Sequence, residues 1–147
     1  MFQGALAATD ASLVRWIAAD QDLNESLLRS SPKECANHLR GDLVKVDNLS
    51  IFDRNLLLKM QDDLARAYSE GVKGGLKQPL QTDRDALLKK ALEFPSNPLS
   101  RDDVLALGDL QSQSPERLCA VWVKFFHNVL ALPGGEAAIV VRYFLGS

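Results

Sequence analysis

The chain has 147 residues, 46% hydrophobic and 24% charged, with 17 basic against 19 acidic side chains for a net charge of −2. That length and balance suit one domain with its own core and exclude a disordered tail, which needs few apolar residues and a large net charge. They also argue against a nucleic-acid reader, which carries a basic footprint. The densest basic stretches, Lys73 with Lys77 and Arg84 with Lys89 and Lys90, are interrupted by Gly, Pro or Asp.

The longest apolar stretch, Leu118 to Leu132, contains Lys124, His127 and Asn128, so it is too short and too polar for membrane insertion. No basic segment precedes an apolar one at the N-terminus, so no signal peptide is expected there. The opening Met1-Phe2-Gln3-Gly4 could be an expression scar on a piece cut from a longer chain. Targeting or membrane segments would then have been removed with the rest.

In chain order, helix signals recur. Strict apolar/polar alternation is confined to the Leu43–Val46 stretch, too little for a sheet. A first helix is expected from about Ala11 to Asp20, with Leu13, Trp16 and Ile17 on one face, followed by a separate short helix carrying Leu23, Leu27 and Leu28. Ser31-Pro32-Lys33-Glu34 supplies a cap, a proline at the first helical position and an acid at the third, and Gly41 supplies a stop.

The clearest amphipathic helix begins at Ser50 or Asp53 and reaches about Glu70. Leu56, Leu57, Met60, Leu64, Ala67 and Tyr68 form its buried stripe, and Lys59, Asp62, Asp63 and Arg66 its wet side. Gly71, Gly74, Gly75 and Pro79 then suggest a hinge over residues 71–81 between two helical halves.

The second half restarts at Thr82, burying Leu87, Leu88, Ala91 and Leu92, and stops at Phe94-Pro95-Ser96-Asn97-Pro98. Ser100, with Asp103 three residues on, opens a short helix carrying Val104, Leu107 and Leu110. Ser114-Pro115-Glu116 begins the most apolar helix. Two adjacent stripes, Leu118/Trp122/Phe125/Val129 and Cys119/Val123/Phe126/Leu130, predict burial over most of its circumference. Pro133-Gly134-Gly135 turns the chain into a last helix with Ile139, Val140, Tyr143 and Phe144. The expectation is an all-α single domain over 1–147: a compact bundle or orthogonal array of about seven to eight short helices around an apolar central helix at about 115–132.

Motifs that could carry chemistry have simpler structural roles. Gly71-Val72-Lys73-Gly74-Gly75-Leu76-Lys77 does not fit a phosphate-binding P-loop, and no strand precedes it. Pro133-Gly134-Gly135-Glu136 offers backbone N–H groups to an anion, but Glu136 already complements that helix start. Cys35 with His38 and Cys119 with His127 could furnish metal ligands, although the second spacing, eight residues, is wrong for a zinc site. Glu34, Cys35 and His38 could mimic a nucleophile with its base, with no oxyanion-hole loop nearby. The acid pairs Asp62-Asp63, Asp83/Asp85 and Asp102-Asp103 sit on a wet face or in first helical turns. Arg40-Gly41-Asp42 spells an adhesion tripeptide, and Asn24-Glu25-Ser26 and Asn48-Leu49-Ser50 match the glycosylation sequon.

No catalytic, cofactor-binding or metal-ligating residue is therefore assigned, and no cofactor is expected. The leading expectation is a non-catalytic helical interaction or regulatory module with a protein partner. A binder of a small apolar ligand between helices comes second and an enzyme third. Cys35 and Cys119, the two cysteines of the chain, are expected to approach one another as a possible disulfide. A bond between them would place the protein outside the cytoplasm.

Overall fold

The computed structural model describes residues 2–74, 81–133 and 135–146. Among them are eight helices and no strand: α1 (Phe2–Leu6), α2 (Asp10–Ser30), α3 (Pro32–Arg40), α4 (Ile51–Lys73), α5 (Gln81–Leu92), α6 (Arg101–Leu107), α7 (Pro115–Leu130) and α8 (Glu136–Gly146). A single 3₁₀ turn, Val46–Asn48, lies between α3 and α4.

The helix starts are fixed by the side chains that signal them. The Ser50 hydroxyl accepts from the Asp53 N–H at 3.0 Å, and the Ser114 hydroxyl from the Arg117 N–H at 3.2 Å. Ser100 and Asp103 exchange two such bonds, at 3.1 and 3.0 Å, in a complete capping box. Each satisfies donors that the first helical turn leaves without a partner. Gly41 ends α3 with φ 77°, a left-handed conformation that glycine takes without steric cost.

Two helices form the centre. Helix α7 packs against α2, α3, α5, α6 and α8, and α2 against α3, α4, α7 and α8. Phe125 and Val129 of α7 are fully buried, and Trp122, Phe125 and Phe126 join Phe144 of α8 in one aromatic cluster with ring centroids 4.9–5.8 Å apart. The central helix expected at 115–132 is thus present, and α2 shares its role. No helix among the described residues is long and apolar enough to cross a membrane.

Several expectations need correction. The two short helices expected between Ala11 and Leu28 are one continuous helix, α2. The polar residues near the expected boundary have partners within the fold: Gln21 Nε2 donates to the Val123 carbonyl at 2.8 Å, and Asn24 Nδ2 to Asp20 at 2.9 Å. The N-terminal segment also forms a helix, α1, with Ala5 and Leu6 in the core. It is tied down by Arg142 of α8, which donates to the carbonyls of Leu6 (2.9 Å) and Ala8 (2.8 Å) and pairs with Asp10 (2.7 Å).

Gly71 does not break the chain: it is buried inside α4. A Cβ there would overlap the Gly4 carbonyl oxygen, so glycine is what lets α1 and α4 touch. Of the proposed hinge, residues 75–80 lie outside the described residues. Of the apolar residues expected on α6, Leu107 is buried and Val104 exposed, and Asp103 beside it is buried.

Candidate functional site

Cys35, one turn into α3, and Cys119, one turn into α7, are both fully buried at the contact between these helices. Their sulfurs lie at disulfide distance, 1.96 Å, with Cα atoms 6.0 Å apart. The expected approach of the two is observed.

Between α2, α3, α4, α7 and α8 lies a cavity of ≈ 270 Å³ that opens to solvent. Trp16 and Ile17 of α2, Leu39 of α3, Met60 and Leu64 of α4, and Trp122, Phe126 and Leu145 of α7 and α8 give it apolar walls. Its polar edge holds Asp20 and His38, and the exposed Gly41 and Asp42 follow at the end of α3. The His38 Nε2 lies 2.6 Å from Asp20 Oδ1. Burial lowers the imidazole's proton affinity, but the hydrogen bond and charge of Asp20 outweigh it, so the His38 pKa is raised.

A second feature lies on the outer side of α4. This helix packs mainly on α1 and α2, and it buries Leu57, Met60, Leu64, Ala67 and Gly71 against them. Opposite that face run Ile51, Leu58, Ala65 and Val72, each seven residues after the last and all exposed. Ile51, Leu58 and Val72 are 77%, 59% and 64% exposed, and Phe52 beside them is 65% exposed. Tyr68, expected in the buried stripe, is 43% exposed, and its ring rests on Gly4. The stripe is about 32 Å long at 1.5 Å per residue. It was readable in the sequence as a seven-residue repeat, but the stronger inward stripe on the same helix masked it.

The remaining sequence candidates are dispersed. Among the described residues no three His, Cys, Asp or Glu side chains converge as a metal site. His127 is exposed on α7, and His38 is held by Asp20 rather than facing a thiol. Glu34 is buried and serves the loop ahead of α4. It accepts from the Lys45 N–H (3.0 Å), Asn48 Nδ2 (3.0 Å) and Asn37 Nδ2 (3.3 Å). Burial raises its pKa, but these bonds outweigh that, and the net displacement is downward.

Asp63, expected on the wet face, is buried, while Asp62 is exposed as expected. Asp103 is enclosed by Arg117 (2.7 Å) and Lys124 (3.0 Å). Arg40 of the adhesion-like tripeptide spends its guanidinium on the Leu110 and Gln113 carbonyls. Asn24 of the first sequon is fully buried, and Asn48 of the second donates to Glu34. Gly75 and Lys77 of the glycine-rich segment, and Gly134 of the candidate anion cradle, lie outside the described residues. Glu136 of that cradle pairs with Lys90 at 3.2 Å.

No protein-family description, curated protein or solved structure matches the chain.

Proposed function

We propose that this protein is a non-catalytic interaction module that docks a partner protein along the outer face of α4, in an oxidising, extracytoplasmic compartment. The observation that carries the reading is the seven-residue spacing of Ile51, Leu58, Ala65 and Val72 on the face of α4 turned away from α1 and α2. Scattered exposed apolar residues need no explanation; four in line along one helix, with Phe52 beside them, mark a surface meant to be covered. A step of seven keeps these side chains in one line along α4, while Arg54, Asn55, Gln61 and Asp62 between them are polar. The partner surface we propose is therefore a helix that lays single apolar side chains along that line. Lys59, Asp62 and Arg66, all exposed on the same helix, offer both signs of charge beside the seam. The compartment is supported by the buried Cys35–Cys119 pair, since such pairs persist where thiols are not kept reduced.

The test is the double variant Leu58→Glu/Val72→Glu, gently extracted from the cells that make the protein and sized by gel filtration. Both side chains are exposed, so folding should change by no more than about 0.5 kcal/mol. The native protein should elute well above its 16.2 kDa monomer mass and the variant at that mass. Identical elution of the two would contradict the reading.

A further inference from the structure

The cavity bounded by α2, α3, α4, α7 and α8 serves no purpose in the docking reading. Its ≈ 270 Å³ lies just under the range of about 300–1,000 Å³ usual for small-molecule pockets. It exceeds the roughly 150 Å³ of an engineered dry cavity that accepts benzene. One ring or a branched aliphatic group, with a short arm, is the size it holds. Trp16, Ile17, Met60, Leu64, Trp122 and Phe126 wall that body with rings and aliphatic chains, which an apolar body matches.

The polar edge decides the head group. Asp20 accepts from His38 Nε2 at 2.6 Å and Asn24 Nδ2 at 2.9 Å, which leaves about two of the four acceptor sites of an ionised carboxylate. Asp42 adds a second acid where the cavity meets solvent. His38 is the one basic side chain in the lining, and it is already committed to Asp20. An anionic head would meet two acids and find no free cation. A protonated amine would find acceptors on Asp20, a second acid nearby, and aromatic walls that suit an organic cation. We propose that this cavity is a binding site for a small primary amine with an aromatic or branched apolar body, held in the apolar walls with its ammonium at Asp20 and Asp42.

Trp16 and Trp122, the two tryptophans of the chain, both line the cavity, so intrinsic fluorescence reports on this site. Three probes of matched shape are titrated into the native protein: 2-phenylethylammonium, 2-phenylethanol and 3-phenylpropionate. The ammonium should shift tryptophan emission saturably, bind about tenfold tighter than the alcohol, as one charge-assisted hydrogen bond predicts, and displace the indole N–H signals in NMR. The carboxylate should bind weakest. Asp42→Asn, an exposed change that leaves the core intact, should weaken the ammonium and leave the alcohol as it was. Equal binding of all three probes would overturn the choice of head group, and absence of saturable binding by any of them would overturn the site itself.

Discussion

Gly4 of α1 and Gly71 of α4 meet backbone to backbone, with the Gly4 carbonyl where a side chain on residue 71 would begin. The contact fixes α1 against the same helix whose outer side we assign to docking. Gly71→Ala is therefore expected to destabilise the fold by about 1–3 kcal/mol, the cost of overpacking less a helix-propensity gain. Urea unfolding checks it. A gain in stability, as for an unconstrained glycine in a helix, would show that the two backbones do not touch.

Cys35 and Cys119 are 84 positions apart, so a bond between them closes most of the chain. In the chain-entropy picture that closure is worth about 4 kcal/mol. Protein purified without reductant should show no titratable thiol when denatured and two after reduction. Its melting temperature should fall on reduction. Two thiols in the unreduced, denatured sample would rule out the bond and remove the support for an oxidising compartment.

Phe125 is fully buried, with the Phe126 and Phe144 rings 5.1 and 4.9 Å away. Phe125→Ala should cost about 3–5 kcal/mol in chemical denaturation. A loss under about 1 kcal/mol, the scale of surface changes, would mean the core lies elsewhere.

Asp103 and His38 set opposite pH dependences. Burial raises the pKa of Asp103, but the Ser100 N–H, Lys124 and Arg117 outweigh it and bring it down to about 2, against 3.8. Its stabilisation, on the order of 2 kcal/mol, is present above pH 3.8 and lost as pH falls towards 2. The folded His38 pKa lies above 6.5, so its contribution is complete below that value and fades as pH rises through the folded pKa. Asp20→Asn should lower the His38 pKa in an NMR titration; an unchanged value would show that Asp20 is not its partner.

The helix starts were legible because caps are local: Ser50, Ser100 and Ser114 act within three residues of themselves. So was α7, whose two apolar stripes leave only a narrow exposed edge, Glu116, Ala120 and His127. The continuity of α2 was not legible, because Gln21 finds its partner in Val123, 102 positions along the chain. Gly71 read as a breaker for the same reason: its role depends on Gly4, 67 positions earlier (71 − 4). Of the candidate sites, the docking stripe was written in the α4 sequence, whereas the cavity draws on five helices and could only be seen once they were packed.

The docking claim is tested most directly by contact. A photo-reactive phenylalanine derivative replaces Leu58 on the outer face of α4 and, as a control, the exposed Arg101 of α6, in cells that produce the protein. Irradiation should yield one discrete cross-linked species from position 58 and none from position 101, and its mass should distinguish a second copy of the chain from another protein. No discrete species at position 58, or the same species from both positions, would contradict the account.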